Sequence, residues 1–361
     1  MFRNKIASRY LAFILPTILL MGCGSSNSPF AQPPAPTSFA LVVNSQSNTI
    51  STYAINPATG QLSPKDTVPT GGTRSRRITT EASGHFAYVG NMDSNDISVF
   101  AIDANTGNVH MVGTPIPTGS GPTSIVTGPT GNVLYAVNQQ GNNITGFALG
   151  SNTGALTPLS GEVPTDNAPI ELRFHPAGHL AYVLNFNSGD VTVYRVDSNG
   201  ALGLLGAVPV GVSPSAMAIH PSGKFLYVAH FVSDEVTTFA IDQTSGALTK
   251  LAPSASSEDG AFSVTLDSQG RFLYVTNAIA NTVSAFAIDA AAGTLTPVST
   301  VPTGTNPVAL TFDAAGRFAY VANLGSNNIS TFSVDPRTGS LTQVGSPVDA
   351  GSGPASVLLT R

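Results

Sequence analysis

Tryptophan is absent from this chain, and cysteine occurs once, at Cys23. A single thiol excludes a disulfide framework and the thiolate-rich metal sites that need several cysteines. Charge is scarce as well. Charged residues make up 10% of the 361, and only four of them are lysine. With a formal net charge of −5 and no basic stripe, the chain lacks what nucleic-acid partners require, since phosphates must be neutralised by lysine and arginine. What is plentiful is glycine (36), proline (26) and apolar side chains (42%). That balance is turn-rich and β-rich, and too apolar for a disordered chain.

A short pattern recurs seven times: tyrosine-valine-x-asparagine, a polar loop, then Ile/Val-Ser/Thr-x-aromatic. Its first anchor falls at Asn44, Asn91, Asn138, Asn185, His230, Asn277 and Asn323, so successive spacings are 47, 47, 47, 45, 47 and 46 residues. An aromatic lies nine residues after each anchor, at Tyr53, Phe100, Phe147, Tyr194, Phe239, Phe286 and Phe332. A period in the forties built from short strands predicts an all-β, seven-bladed β-propeller with four-stranded blades. The missing tryptophan excludes the tryptophan-aspartate type.

The sixth repeat defines the unit. Phe262 to Leu266 read as an innermost strand, and Arg271 to Thr276 as a second strand whose continuous apolar run fits a sheet covered on both faces. Val283 to Ile288 form the third strand, carrying the aromatic that fills the space between blades, and Thr294 to Val298 the outermost. Glycine punctuates the turns, six times after the innermost strand and seven times after the third. One innermost turn is missing because residue 39 starts directly on a second strand, while Pro354 to Thr360 form an unpaired innermost strand. The C-terminal strand is therefore expected to pair with the N-terminal strands and close the ring, removing two free edges.

Ahead of the propeller, Arg3, Lys5 and Arg9 precede an apolar stretch from Leu11 to Leu20, broken by Pro16 and Thr17. The stretch is too short for a bilayer span and reads as a signal peptide. Leu20-Met21-Gly22-Cys23 resembles the lipobox of bacterial lipoproteins, which implies cleavage before Cys23 and lipidation of its thiol; a plain secretory signal cut nearby is the alternative. The expected domains are a signal peptide at 1–22, lipidated Cys23 with a flexible proline-rich tether at 23–38, and the propeller at 39–361. Export to the bacterial cell envelope follows, with a lipid anchor in the outer membrane or at the cell surface.

Arg271-Phe-Leu-Tyr-Val-Thr-Asn277 and the hairpin Thr153-Gly-Ala-Leu-Thr-Pro158 resemble the seven-bladed lactonase family, which includes propeller-type 6-phosphogluconolactonases. The resemblance covers the whole propeller and implies its fold. It also implies a site at the axial mouth, where enzymatic relatives place His, Arg and Glu on the first residue of the innermost strand or after the second. Here the first positions are Arg76, Thr123, Ile170, Ser215, Phe262, Val308 and Ala355. Where relatives carry Glu after the anchor, this chain has Phe186, Phe231 or Ala278.

The sharpest local anomaly is Thr73-Arg74-Ser75-Arg76-Arg77, which places three of the fifteen basic residues within four positions. Guanidinium forks there suit an anion or carboxylate site; equally, they suit pairing with Asp93, Asp96 or Glu171. Glu171 and Arg173 interrupt another innermost strand. Glu171 could serve as a general base with Arg76 or Arg77 holding an oxyanion, but a buried Glu–Arg pair between neighbouring blades is the favoured reading. His230, at an anchor position, is read as taking over the hydrogen bonds of asparagine, with ligand binding as its alternative. His175 and His179 flank a tight turn without metal-ligand spacing, so no metal and no cofactor are expected.

The residue types favour a non-catalytic binding or interaction scaffold over a lactonase-type hydrolase of an unphosphorylated lactone. Expected partners are a small acid, lactone, glycan or protein at the loop face, and the protein is expected to be monomeric.

Overall fold

The second strand of each repeat is mostly apolar up to its polar anchor residue because both of its faces are covered. In the sixth repeat, Phe272–Asn277 is buried at every position. The computed structural model describes residues 38–150 and 152–360; the expected signal peptide, Cys23 and nearly all of the tether lie outside them.

Seven antiparallel sheets follow one another around an axis. From inside out, blade 2 has Ser75–Thr80, Phe86–Asn91, Asp96–Ile102 and Val109–Met111, the last followed by Ile116–Pro117. Blade 4 has Pro169–Phe174, Leu180–Asn185, Asp190–Val196 and Leu202–Pro209. Blades 3, 5, 6 and 7 begin at Pro122–Thr127, Pro214–Ile219, Ala261–Leu266 and Pro307–Phe312. Outermost strands differ from the simple expectation. In blades 2, 3 and 7 they break into two short pieces, and in blade 6 the strand runs past the expected end at Val298 to Pro302.

Blade 1 closes the ring as expected. Pro354–Leu359 pairs antiparallel with Phe39–Asn44, which continues to Thr49–Ile55 and Leu62–Pro69. A buried cluster joins Ala40, Val42 and Tyr53 to Phe318, Tyr320 and Ile329 of blade 7. Gly60 is required there: its φ is +73°, and an added Cβ would sit 2.4 Å from the Phe318 ring. The third-strand aromatics Phe100, Phe147, Tyr194, Phe239, Phe286 and Phe332 are likewise almost wholly buried between blades.

Each anchor asparagine pinches its own hairpin. Asn277 Nδ2 donates to Thr282 Oγ1 and Ser284 Oγ, both at 2.9 Å, and Asn44, Asn91, Asn138, Asn185 and Asn323 make the equivalent pair of bonds. A second device links neighbouring blades. The left-handed residue before a third strand accepts, through its side-chain oxygen, from the backbone N–H just ahead of the next blade. Asn48 takes Arg74 N–H at 2.6 Å, Asn95 takes Gly121 at 2.7 Å, and Asn142 takes Ala168 at 2.8 Å. Asp234, Asn281 and Asn327 repeat it. Among the described residues, blade 4 alone lacks the link, because Gly189 occupies the position.

Candidate functional site

One backbone irregularity builds the axial mouth. In every blade, the register between innermost and second strand slips by a residue at the end near the anchor, leaving a bulged residue unpaired. In blade 2, Ser75 faces Asn91 and Arg77 faces Gly90, so Arg76 is the bulge. The same slip isolates Thr123, Ile170, Ser215, Phe262, Val308 and Ala355. Bulges re-aim side chains and commonly border functional sites. Here all seven bulged residues line one cavity of ≈ 310 Å³. The structure thus brings together the seven positions expected from sequence, each one residue inside its strand rather than first in it.

The mouth is chemically lopsided. Besides the bulged residues, Arg77, Gln139, Phe186, Phe231 and Leu324 line it, and among the described residues no Asp, Glu or His does. Its two hydroxyls are engaged with backbone: Ser215 Oγ donates to Ala261 O at 2.7 Å and to Ala229 O at 3.1 Å, and Thr123 Oγ1 lies 3.4 Å from three carbonyls. Arg76 is half-buried and makes no side-chain hydrogen bond or ion pair among the described residues. Burial, and then the guanidinium groups of Arg74 and Arg77, hold it below the usual arginine range; an arginine so placed stays charged. It is a cation in want of an anion.

Its neighbours are differently placed. Arg74 lies on the exposed rim, 3.5 Å from Asp93, while Asp96 accepts from Asn91 instead. Arg77 points down into the axial channel, a second cavity of ≈ 290 Å³ that Glu171 and Arg173 also line. Glu171 is almost wholly buried, and its Oε1 accepts from Arg173 Nη2 at 2.6 Å and Arg77 Nη2 at 3.4 Å. Its Oε2 accepts the Met217 N–H at 2.7 Å. The Glu–Arg pair is real, but it is not between neighbours. Arg77 belongs to blade 2 and Glu171 to blade 4, so the bond crosses the channel past blade 3, and Met217 extends the link to blade 5.

His230 is buried in the blade 5 hairpin, away from the mouth. Its Nδ1 donates to the Val212 carbonyl at 3.2 Å, leaving Nε2 to accept from the Thr237 hydroxyl at 2.9 Å. This keeps one of the two asparagine contacts, the one seven residues on, with its direction reversed, and replaces the other by the Val212 carbonyl. His175 and His220 reach the carbonyls of Gly223 and Gly270 on adjacent blades. Among the described residues, no group of three or more His, Cys, Asp or Glu could hold a metal ion.

Sequence reading did not single out Gln139. Its side chain has no hydrogen-bond partner among the described residues, and it lines the same cavity as Arg76 from blade 3, which adjoins blade 2. The available signal was positional: Gln139 directly follows the anchor Asn138, where Phe186 and Phe231 follow theirs.

The mouth thus combines, among the described residues, one unpaired guanidinium with a largely apolar lining on an all-β, seven-bladed ring. The chain belongs to the lactonase family, described as a 7-bladed beta-propeller, which it matches over residues 35–126, 161–262 and 252–358. Among solved structures it resembles the periplasmic gluconolactonase of Pseudomonas aeruginosa at 22% identity and a TM-score of 0.80, covering 90% of this chain and 99% of that one. It also resembles a candidate 6-phosphogluconolactonase of Bacteroides fragilis at 23% identity and a TM-score of 0.81, covering 91% and 99%. A Lactobacillus plantarum protein matches at 20% and 0.80, covering 90% and 100%. At these identities the likeness is one of fold. No curated protein is significantly similar in sequence.

Proposed function

We propose that this lactonase-family propeller binds a small organic acid, or the lactone that opens to it, at the axial mouth. The observation that carries the reading is Arg76: a charged, half-buried guanidinium with no partner, re-aimed by a bulge into a ≈ 310 Å³ cavity. A guanidinium holds a carboxylate by two parallel hydrogen bonds, and the Gln139 amide beside it supplies a further donor. If so, small carboxylates raise the melting temperature of the wild-type chain and leave that of Arg76→Ala unchanged. An equal shift in both proteins would contradict the assignment.

Hydrolysis is the second reading, favoured by the family membership. Water would add across the acyl C–O bond of the lactone, giving a hydroxycarboxylate and a proton, with Arg76 stabilising the oxyanion. No lining residue is a general base, and Glu171 is spoken for by two arginines and a backbone N–H. Any lactonase rate should therefore climb with hydroxide rather than trace a bell. A lactone panel measured against the spontaneous rate tests this. A rate no higher than background across the panel leaves binding alone, and a bell-shaped profile would mean that a titrating base does act in the mouth.

A further inference from the structure

Resting on the carboxylate reading of the mouth, we propose that its ligand is amphipathic: a monocarboxylate with an apolar chain or ring, or the corresponding lactone, rather than a polyhydroxylated sugar acid. The ring places the two halves of such a ligand. With seven blades, the two that stand opposite blade 2 are blades 5 and 6, each three steps away. Blade 2 carries Arg76, while blades 5 and 6 carry Phe231 and Phe262, whose rings meet edge-on with centroids 6.2 Å apart. Val308 and Leu324 of blade 7 continue this apolar wall. A carboxylate seated on Arg76 and Gln139 thus directs the rest of its molecule at the aromatic pair.

The hydrogen-bond supply selects against sugars. A buried hydroxyl without a partner loses its hydration with nothing to replace it, and a gluconate carries several. Among mouth side chains, uncommitted N–H donors belong to Arg76, Gln139 and Arg77, whose Nη2 alone is used, by Glu171, while the Thr123 and Ser215 hydroxyls donate to backbone carbonyls and have only acceptor capacity left. The cavity, at ≈ 310 Å³, lies at the small end of ligand pockets. It suits a chain of several carbons or one ring.

Calorimetric titration of the full-length chain with acetate, octanoate and gluconate tests this, with Phe262→Ser and Phe231→Ser as two independent variants of the wall. Octanoate is expected to bind at least tenfold more tightly than either acetate or gluconate. Each serine variant that melts cooperatively should erase most of that advantage while leaving acetate unchanged. Gluconate binding as tightly as octanoate, or an octanoate advantage that survives both variants, would overturn the apolar assignment alone. Failure of all three acids to bind would overturn the carboxylate reading beneath it.

Discussion

The Tyr320 hydroxyl donates to the Gly60 carbonyl at 2.9 Å, tying blade 7 to blade 1 across 260 residues of sequence. The same bond joins Tyr274 to Gly339 and Tyr182 to Gly246 at ordinary blade interfaces, so the seam is built like these two junctions, whereas the equivalent Tyr88 and Tyr227 hydroxyls have no such partner among the described residues. Tyr320→Phe should therefore cost about 1 kcal/mol, the net worth of one hydrogen bond, seen as a lower denaturant midpoint. Deleting residues 353–361 removes the innermost strand of blade 1 and exposes an edge. It should abolish cooperative melting, and an unchanged melting temperature would show that closure contributes nothing.

Glu171 holds Arg77 and Arg173 together across the channel. Glu171→Gln leaves two guanidinium groups facing each other without a counter-charge. Breaking a fully buried pair costs roughly 3–5 kcal/mol. Here the arginine side chains are 35% and 42% exposed, so solvent screening should reduce the loss to about 2 kcal/mol. Equilibrium unfolding measures it. A variant more stable than wild type would mark Glu171 as a strained group held for chemistry instead.

The blade-to-blade link from Asn48 to Arg74 N–H is separable from the backbone strain it accompanies. Asn48→Gly keeps the left-handed conformation (φ 54°) and removes the acceptor, for an expected loss of about 1 kcal/mol. The reverse change fails for steric reasons. At Gly189 a Cβ would lie 2.6 Å from the Gly211 carbonyl oxygen, so Gly189→Asn should lower the melting temperature rather than add the missing link.

Burial, opposed by the Val212 carbonyl, holds the His230 imidazole below its ordinary 6.5. Burial does the same to His175, there opposed by the Gly223 carbonyl. The unfolded chain takes up these protons near 6.5 while the folded chain stays neutral, so stability that is full above about 6.5 falls as the pH drops below it. His230→Asn, the residue of the other six blades, should flatten the decline in melting temperature between about pH 6.5 and 5. The turn aspartates Asp103, Asp242, Asp289 and Asp335 are held below 3.8 by backbone N–H groups and act only in a lower window. An identical slope in both proteins would remove His230 as a cause.

The ring, its closure and the mouth positions were legible in the sequence because each repeats at a fixed offset. An aromatic nine residues past every anchor means a buried column, and a missing innermost strand means a borrowed one. Arg76 stood out where its six counterparts are uncharged. Three features were not legible. Arg77 and Glu171 are 94 residues apart and meet only because blades 2 and 4 face a common channel, which no local pattern encodes. Nor does any local pattern show that the left-handed backbone at Asn48, Asn95 and Asn142 points each side-chain oxygen at the next blade. Gln139 passed unremarked because its role comes from lying beside Arg76 on the adjoining blade.

The most direct test is calorimetric titration of a small monocarboxylate into the wild-type chain and into Arg76→Ala. Loss of a charge-assisted two-pronged contact should weaken binding at least tenfold, about 1.4 kcal/mol or more, with the melting temperature little changed because Arg76 has no partner to lose. Equal affinity in the two proteins would place the ligand elsewhere and contradict the assignment of the axial mouth as the functional site.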